Sequence, residues 1–466
     1  MRILMVSPHP VYSPRGTPIS VFNRCVALGA LGHQVDLVTY PVGEDRPVPG
    51  LRYLRATVPG VRSVAVGPSW AKLVLNGAVT VRSLREAIRG RGHYDVVHTH
   101  EEAGLFGPAL ARLSGVPHVY DMGNDWADVL KNYGLGPTNP AITVAGGLED
   151  AVIRHSDVVI AHFPLIAERV RAATPTPVET VCNISLEADP DPAEVAAVRA
   201  EWAPDGEPVI LYTGTLEPYQ GVPLLLEAMV SVGRSHPGAR LVLVGGRPDQ
   251  MAELQARADE LGVSPQVRLV GQVASTRIPA CLEAADVLVS PRERGSNTPL
   301  KIFSYPRSGR PIVATDILSH TQILDGRSCM LVPPTAAGLA SGIEGVLDDG
   351  PLRTAAIQGA ASLRAAYGIE QYVEGVAAAY AHVGGGPVDA EQVARAAASI
   401  AGTDGSESVG VAPEGAPGSA ASEGAPDGAA SEGAPGGAAS GGAPEGAAPE
   451  APIRDPRDES TLEVAV

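Results

Sequence analysis

The stretch "DVLVSPRERGSNTPLKIFSYPRSGRPIVAT", residues 286 to 315, opens on an apolar run, Val287 to Val289, and closes on another, "PIVAT". Short runs rich in β-branched residues read as buried strands, and the segment between them reads as the helix of a strand-helix-strand unit. Pro299 falls where proline is welcome, at the first helical position. The amides of Asn297, Thr298, Leu300 and Lys301 are then expected to lack intrahelical partners, and such amides attract anions. A phosphate is the natural guest, with Lys301 adding charge.

Outward from this unit the same alternation repeats. "PVILYTG", "ARLVLVG" and "QVRLVG" precede it and "SCMLVPP" follows, separated by helical patterns such as "VPLLLEAMVSV" and "DQMAELQARADELG". Nearer the amino terminus, "RILMV", "VDLVTY", "DVVHTH", "HVYD" and "DVVIAH" alternate with helices, the first marked by Val21, Cys25 and Leu28 at helical spacing. Two series of this kind predict an α/β protein with two doubly wound, Rossmann-like domains. The proline-rich, acidic stretch at 183–207 marks the hinge. The expected domains are 1–185 and 186–382, the latter with closing C-terminal helices, followed by a disordered acidic tail over 385–466. That tail, built of Gly, Ala, Pro, Ser and Glu without apolar periodicity, cannot bury enough surface to fold.

Acidity is concentrated in the tail: residues 385–466 carry 14 acidic and 3 basic side chains, and the other 384 residues have a net charge of only −6. No polyanion-binding surface is implied, and a near-neutral folded part argues against strong attachment to anionic lipid. The cysteines, Cys25, Cys182, Cys281 and Cys329, show no metal or redox spacing and read as reduced thiols of a cytoplasmic protein. No segment has the apolar length of a signal peptide or a membrane span. A peripheral membrane contact stays open.

The loop "SPHPVYSPRGTPIS" offers Arg15 and Gly16 at the start of the first helix, with Thr17 and Pro18 as its N-cap and first residue. "VVHTH" places His98 and His100 on one face of a strand. The pair could ligate a metal with Glu101 or Asp121, but lacks a third ligand at recognisable spacing, so hydrogen-bonded histidines lining a cleft are expected and no metal is. Asp121 and Asp125 are acidic candidates at the next strand end, Asp121 either orienting an acceptor or capping the following turn.

Taken together, the glycine-bearing loop after the first strand, "YTGTLEPYQGVPLLLEA" and "NTPLKIFSYPRSGRPIVAT" resemble the retaining GT-B glycosyltransferases of family four, over roughly residues 1 to 382. The resemblance implies a GT-B fold whose two domains face a cleft. It implies transfer of a hexosyl or N-acetylhexosaminyl unit, with retention, from a nucleotide diphosphate-sugar to a glycan, glycolipid or small-molecule acceptor. No cofactor is implied beyond the donor substrate, and no nucleic acid partner. The donor site it implies comprises Arg15, Gly16, Thr215, Gln220, Arg294, Ser296, Asn297, Thr298, Leu300, Lys301 and Ser304, with Asp121, His100 and Lys301 as catalytic candidates. The front-face reaction needs no protein nucleophile, only positioning and charge stabilisation.

The chain departs from the family pattern at several places. The paired glutamates of the family fall at Ser296 and Ser304, its phosphate-facing arginine and lysine near Thr215 and at Gln220, and its sugar-proximal histidine at Gly123. Positive charge must then come from Lys301, Arg294, Arg292 or Arg15. These losses keep a rival reading in view, a non-catalytic nucleotide-sugar binder or scaffold whose tail recruits a partner. A nucleotide-sugar epimerase shares the architecture, but its histidine and acid pattern is not evident. A dinucleotide oxidoreductase is set aside for want of G-x-G-x-x-G after the first strand.

Overall fold

A computed structural model describes residues 1–13, 16–61, 64, 70–132 and 135–402. Strands β1 (Arg2–Val6), β2 (Gln34–Thr39), β3 (Leu51–Arg55), β4 (Val96–His100), β5 (His118–Met122), β6 (Val158–Ala161) and β7 (Val178–Thr180) form one sheet in the order β3-β2-β1-β4-β5-β6-β7. A second sheet contains β8 (Val209–Thr213), β9 (Arg240–Val244), β10 (Val267–Gly271), β11 (Val287–Ser290), β12 (Ile312–Thr315) and β13 (Met330–Val332), in the order β10-β9-β8-β11-β12-β13. All pairings are parallel. Strands such as "VILYT" are buried along their whole length. Both faces are covered by helices, which is why these strands are runs of apolar residues rather than alternations.

Successive residues of β1 serve opposite faces. Ile3 and Met5 pack with Val21, Cys25 and Leu28 of the helix Gly16–Ala30. Leu4 and Val6 pack with Leu75 and Val79 of the helix Trp70–Arg89. Each sheet reverses its strand order once, between β1 and β4 in the first and between β8 and β11 in the second. Ligands of wound sheets bind beyond the carboxyl ends of the strands at such switch points. The loops after β1, β4, β8 and β11 are therefore where a site belongs.

The C-terminal helices divide differently from the expectation. The helix Pro351–Ala366 buries Ala360 and Leu363 against the second sheet. The next helix, Ile369–Ala381, instead crosses back and buries Tyr372, Val373, Val376, Ala379 and Tyr380 against Ile3, Met5 and Val96 of the first. An amphipathic stripe announces that a helix is covered, but not by which sheet. The expected tail from residue 385 is also corrected in part: Ala390–Gly402 is a helix whose Val393, Ala396 and Ile400 join the same core. Its stripe is masked in the sequence by the alanine-rich repeats that follow. Residues 403–466, the rest of that expected tail, lie outside the described residues.

Candidate active site in the cleft

On the second-domain side, Lys301 is the centre of the site. Its side chain is 9% exposed, its Nζ lies 3.6 Å from the centroid of the Tyr212 ring, and that nitrogen has no hydrogen-bond partner. Burial, reinforced by the nearby Arg292 charge, pushes the ammonium well below its ordinary value. Gly214, at φ +139°, opens the space: a Cβ there would stand 3.1 Å from Lys301 Nζ. Around it, Thr298 Oγ1, Gln220 Oε1 and Arg292 Nε are also buried without partners. Buried polar atoms are normally satisfied, so a group of orphans at a switch point reads as a surface completed by a ligand.

The lysine-bearing helix is shorter than the sequence suggests. It is one turn, Lys301–Ser304, continued by a tighter 3₁₀ turn at Tyr305–Ser308 in which Pro306 sits. Pro299 precedes the helix instead of opening it, although its carbonyl accepts from the Ile302 amide at 3.0 Å. The amides of Asn297, Thr298, Leu300 and Lys301 have no backbone partner among the described residues. Phe303 anchors the turn by packing among Tyr120, Met122 and Val159 of the first domain.

The remaining donor-side candidates divide. Thr215 Oγ1 accepts from Gln220 Nε2 at 3.4 Å, so the two neutral replacements face each other. Arg292 Nη1 donates to the Asn297 carbonyl at 2.5 Å, and its guanidinium lies 5.0 Å from the centroid of the Tyr219 ring. Arg294 is exposed, and the Ser296 carbonyl is taken by Gln322 Nε2 at 2.7 Å. Ser304 turns its hydroxyl towards the Lys301 carbonyl at 3.4 Å, while lining with Leu300, Ile19 and Arg307 a crevice of about 160 Å³ beside the hinge. Gly16 opens the first helix itself, in place of the expected Thr17 cap, with open space where a Cβ would be. Arg15 lies outside the described residues.

On the first-domain side, the histidine face appears as read, but sealed. His98 and His100 have ring centroids 4.5 Å apart, and both side chains are essentially inaccessible. They surround Asp121, whose Oδ2 lies 2.9 Å from Arg24 Nε, 3.2 Å from His98 Nε2 and 3.4 Å from His100 Nδ1, while His162 bonds its Oδ1. Burial alone would raise this carboxyl, but Arg24, His100 and His162 hold it well below the usual carboxylate range. Asp121 therefore does not cap the turn. That role falls to Asp125, which accepts from the Asp128 amide at 3.1 Å. His98 Nδ1 pairs with the Tyr380 hydroxyl at 2.7 Å, and only His100 Nε2 among these histidine nitrogens is buried without a partner. Ligand atoms of His98, His100 and Asp121 are close enough to hold a metal. A dication there would meet the Arg24 guanidinium already compensating Asp121, a poor donor set for one.

Two residues give this side an open chemistry that the sequence reading did not assign. Glu101 is the one described non-glycine residue with a left-handed backbone, φ 51°, and it is 6% exposed at the end of β4. Its Oε1 accepts from Asn124 Nδ2 at 2.6 Å, and Asn124 Oδ1 in turn accepts from Asn297 Nδ2 across the cleft. Burial and then the Glu102 charge raise the Glu101 carboxyl well above its ordinary value, against the Asn124 bond. A Cβ at Gly123 would stand 2.5 Å from Glu101 Oε1, so this carboxyl occupies the place of the missing histidine side chain. Backbone strain of this kind gathers at functional sites.

Comparison with known proteins fits this geometry. Residues 16–184 match a family profile described as a glycosyl transferase 4-like domain, and residues 207–349 match glycosyl transferases group 1. The chain belongs to the group 1 glycosyltransferases. Among curated relatives of this family, it is 28% identical over 423 residues to a D-inositol 3-phosphate glycosyltransferase of Acidothermus cellulolyticus, covering 81% of this chain and 90% of that one. A namesake from Jonesia denitrificans is 30% identical over 268 residues, 53% of this chain, and the match spans only 62% of that relative's length. Sucrose-phosphate synthase from Thermosynechococcus elongatus shares the fold at a TM-score of 0.64 and 20% identity, over 80% of this chain and 96% of that one. The Anabaena protein HepE, in complex with UDP-glucose, does so at 0.60 and 16%, over 86% and 100%. The fold is thus the GT-B arrangement of this glycosyltransferase family.

Among the residues that sequence reasoning missed, Arg24 had the clearest signal, an arginine beside Cys25 in an apolar helix. Glu101 was weighed only as a metal ligand. Gly214, Asn124 and His162 carry no local signal, because their roles depend on contacts more than 30 residues away in sequence or across the cleft.

Proposed function

We propose that this glycosyltransferase moves a sugar, with retention, from a nucleotide diphosphate-sugar held by the second domain to a hydroxyl of a glycan, lipid-linked or small-molecule acceptor held by the first. The observation that carries this is the unpaired, buried Lys301 Nζ beside the amides of Asn297, Thr298, Leu300 and Lys301, which have no backbone partner among the described residues. Departure of a nucleotide diphosphate develops negative charge, which favours the protonated form of Lys301 against the burial that lowers its pKa. A cation so placed with oriented amides lowers that barrier. Thr298, Gln220 and Arg292 supply further polar atoms to the diphosphate. In this reading the leaving diphosphate takes the acceptor proton, and Glu101, tied through Asn124 to Asn297, positions a sugar hydroxyl at the junction of the two halves. The UDP-glucose complex of HepE makes UDP-glucose the first donor to try. Four unpaired cysteines support a reducing, cytoplasmic setting.

The neutral pair Thr215 and Gln220 favours one second reading, a nucleotide-sugar binder that has lost turnover. Thermal unfolding of the full chain with UDP, GDP, ADP, dTDP and their sugars tests both. Stabilisation by one nucleotide, lost in Lys301→Ala, is the expected result. Release of the matching nucleotide diphosphate with an acceptor would support the transferase, and binding without turnover the second reading. No shift with any nucleotide would remove the Lys301 assignment.

A further inference from the structure

Large exposed apolar side chains are unevenly spread over the molecule. Of the fourteen among the described residues, ten lie on the helices and turns that follow β3, β4, β5 and β6, and five of those are on the single helix Trp70–Arg89. Leu73, Gly77, Val81, Leu84 and Ile88 recur at steps of three and four, a single stripe, with Val74 beside it. Val81 is 66% exposed and Ile88 62%. The opposite stripe, Leu75, Val79, Ser83 and Ala87, is buried on the sheet. The helix is thus apolar on the face that the fold covers and again on the face it leaves open. Folding alone accounts for only the first.

The open face is also locally cationic. Residues 70–92 contain five basic side chains and one acidic, within a folded part whose net charge is negative. Arg82 is paired with Glu86 at 3.1 Å, but Arg85, Arg89 and Arg91 are exposed and have no ion-pair partner among the described residues. Net charge conceals this cluster, so the near-neutral balance is no argument against attachment.

We propose that this helix face seats on an anionic lipid bilayer, its stripe at the boundary of headgroups and acyl chains and its arginines among the phosphates. Charge complementarity selects this occupant. A second copy packed on the same face would bring like-charged arginines together. The acidic segment 403–466 matches in charge, but its larger apolar residues stand only at its ends, Val409 and Val411 and then Ile453, Leu462, Val464 and Val466. With nothing larger than alanine or proline over 412–452, it offers no continuous stripe to match this one. The proposal rests on this surface alone and is independent of the donor site.

Sedimentation of the full chain with vesicles of phosphatidylcholine, or of phosphatidylcholine with equimolar phosphatidylglycerol, tests it. The chain is expected to sediment with the anionic vesicles only, less at high salt. The pairs V81D/I88D and R85E/R89E are each expected to lower the bound fraction at least about tenfold with unchanged circular dichroism. Wild-type chain left in the supernatant, or both variants binding as wild type, would overturn the proposal. A dimer in light scattering that V81D/I88D dissociates, or a protease-protected 403–466 segment that the same pair exposes, would assign the face to those occupants and also overturn it.

Discussion

Asp121 and Lys301 are both buried charges near the cleft, one in each domain, and their surroundings are opposite. Asp121 is met by a guanidinium and three imidazoles. Lys301 is met by an aromatic face and no anion. A compensated buried charge holds structure together, whereas an uncompensated one is a cost that a ligand can remove. The comparison shifts the site's weight towards Lys301 and gives the Asp121 cluster the task of fixing β4, β5 and the first helix.

The contrast breaks most visibly in stability. Asp121→Asn leaves Arg24 buried without its counter-charge and is expected to destabilise the fold by about 3–5 kcal/mol in denaturant unfolding. An effect under about 1 kcal/mol would mean that the cluster is not structural. Lys301→Met keeps the stem and removes the charge, so the unliganded protein is expected to gain about 1–3 kcal/mol. The same variant is expected to lose transfer by roughly 10²- to 10³-fold. Loss of stability together with wild-type nucleotide binding would reverse the assignment.

Two smaller effects sharpen the picture. Glu101 has a native pKa above its ordinary 4.5, so as pH rises from there the unfolded chain releases its proton first and stability falls until the native group also ionises. Glu149, raised by burial to about 7, contributes in the same direction. Glu101→Gln is expected to flatten part of that decline in a pH series of unfolding curves, and superimposable curves would refute the buried acid. Tyr380→Phe removes the hydroxyl bonded to His98 and is expected to cost about 1 kcal/mol, measurable by thermal unfolding.

Much of the fold was legible because parallel strands buried on both faces must be continuous apolar runs, and "VILYT" or "VVIA" leaves little choice. The lysine and its loop were legible for the same reason, since a switch-point loop follows directly from strand order. The hidden part is what arises from distant pairings. Nothing in "RCVALG" says that Arg24 meets Asp121, and nothing near Gly123 says that Glu101 occupies its space.

The helix Ile369–Ala381 shows the division most plainly. Its sequence specified a stripe of Tyr372, Val373, Val376 and Tyr380 that had to be covered. The first sheet, left bare beside the helix Gly16–Ala30, was what covered it. Local periodicity thus determined the two wound domains and the place of their loops. Tertiary packing decided which charges are compensated and which remain open to a substrate, because burial and pairing are properties of a site that residues far apart in sequence create together.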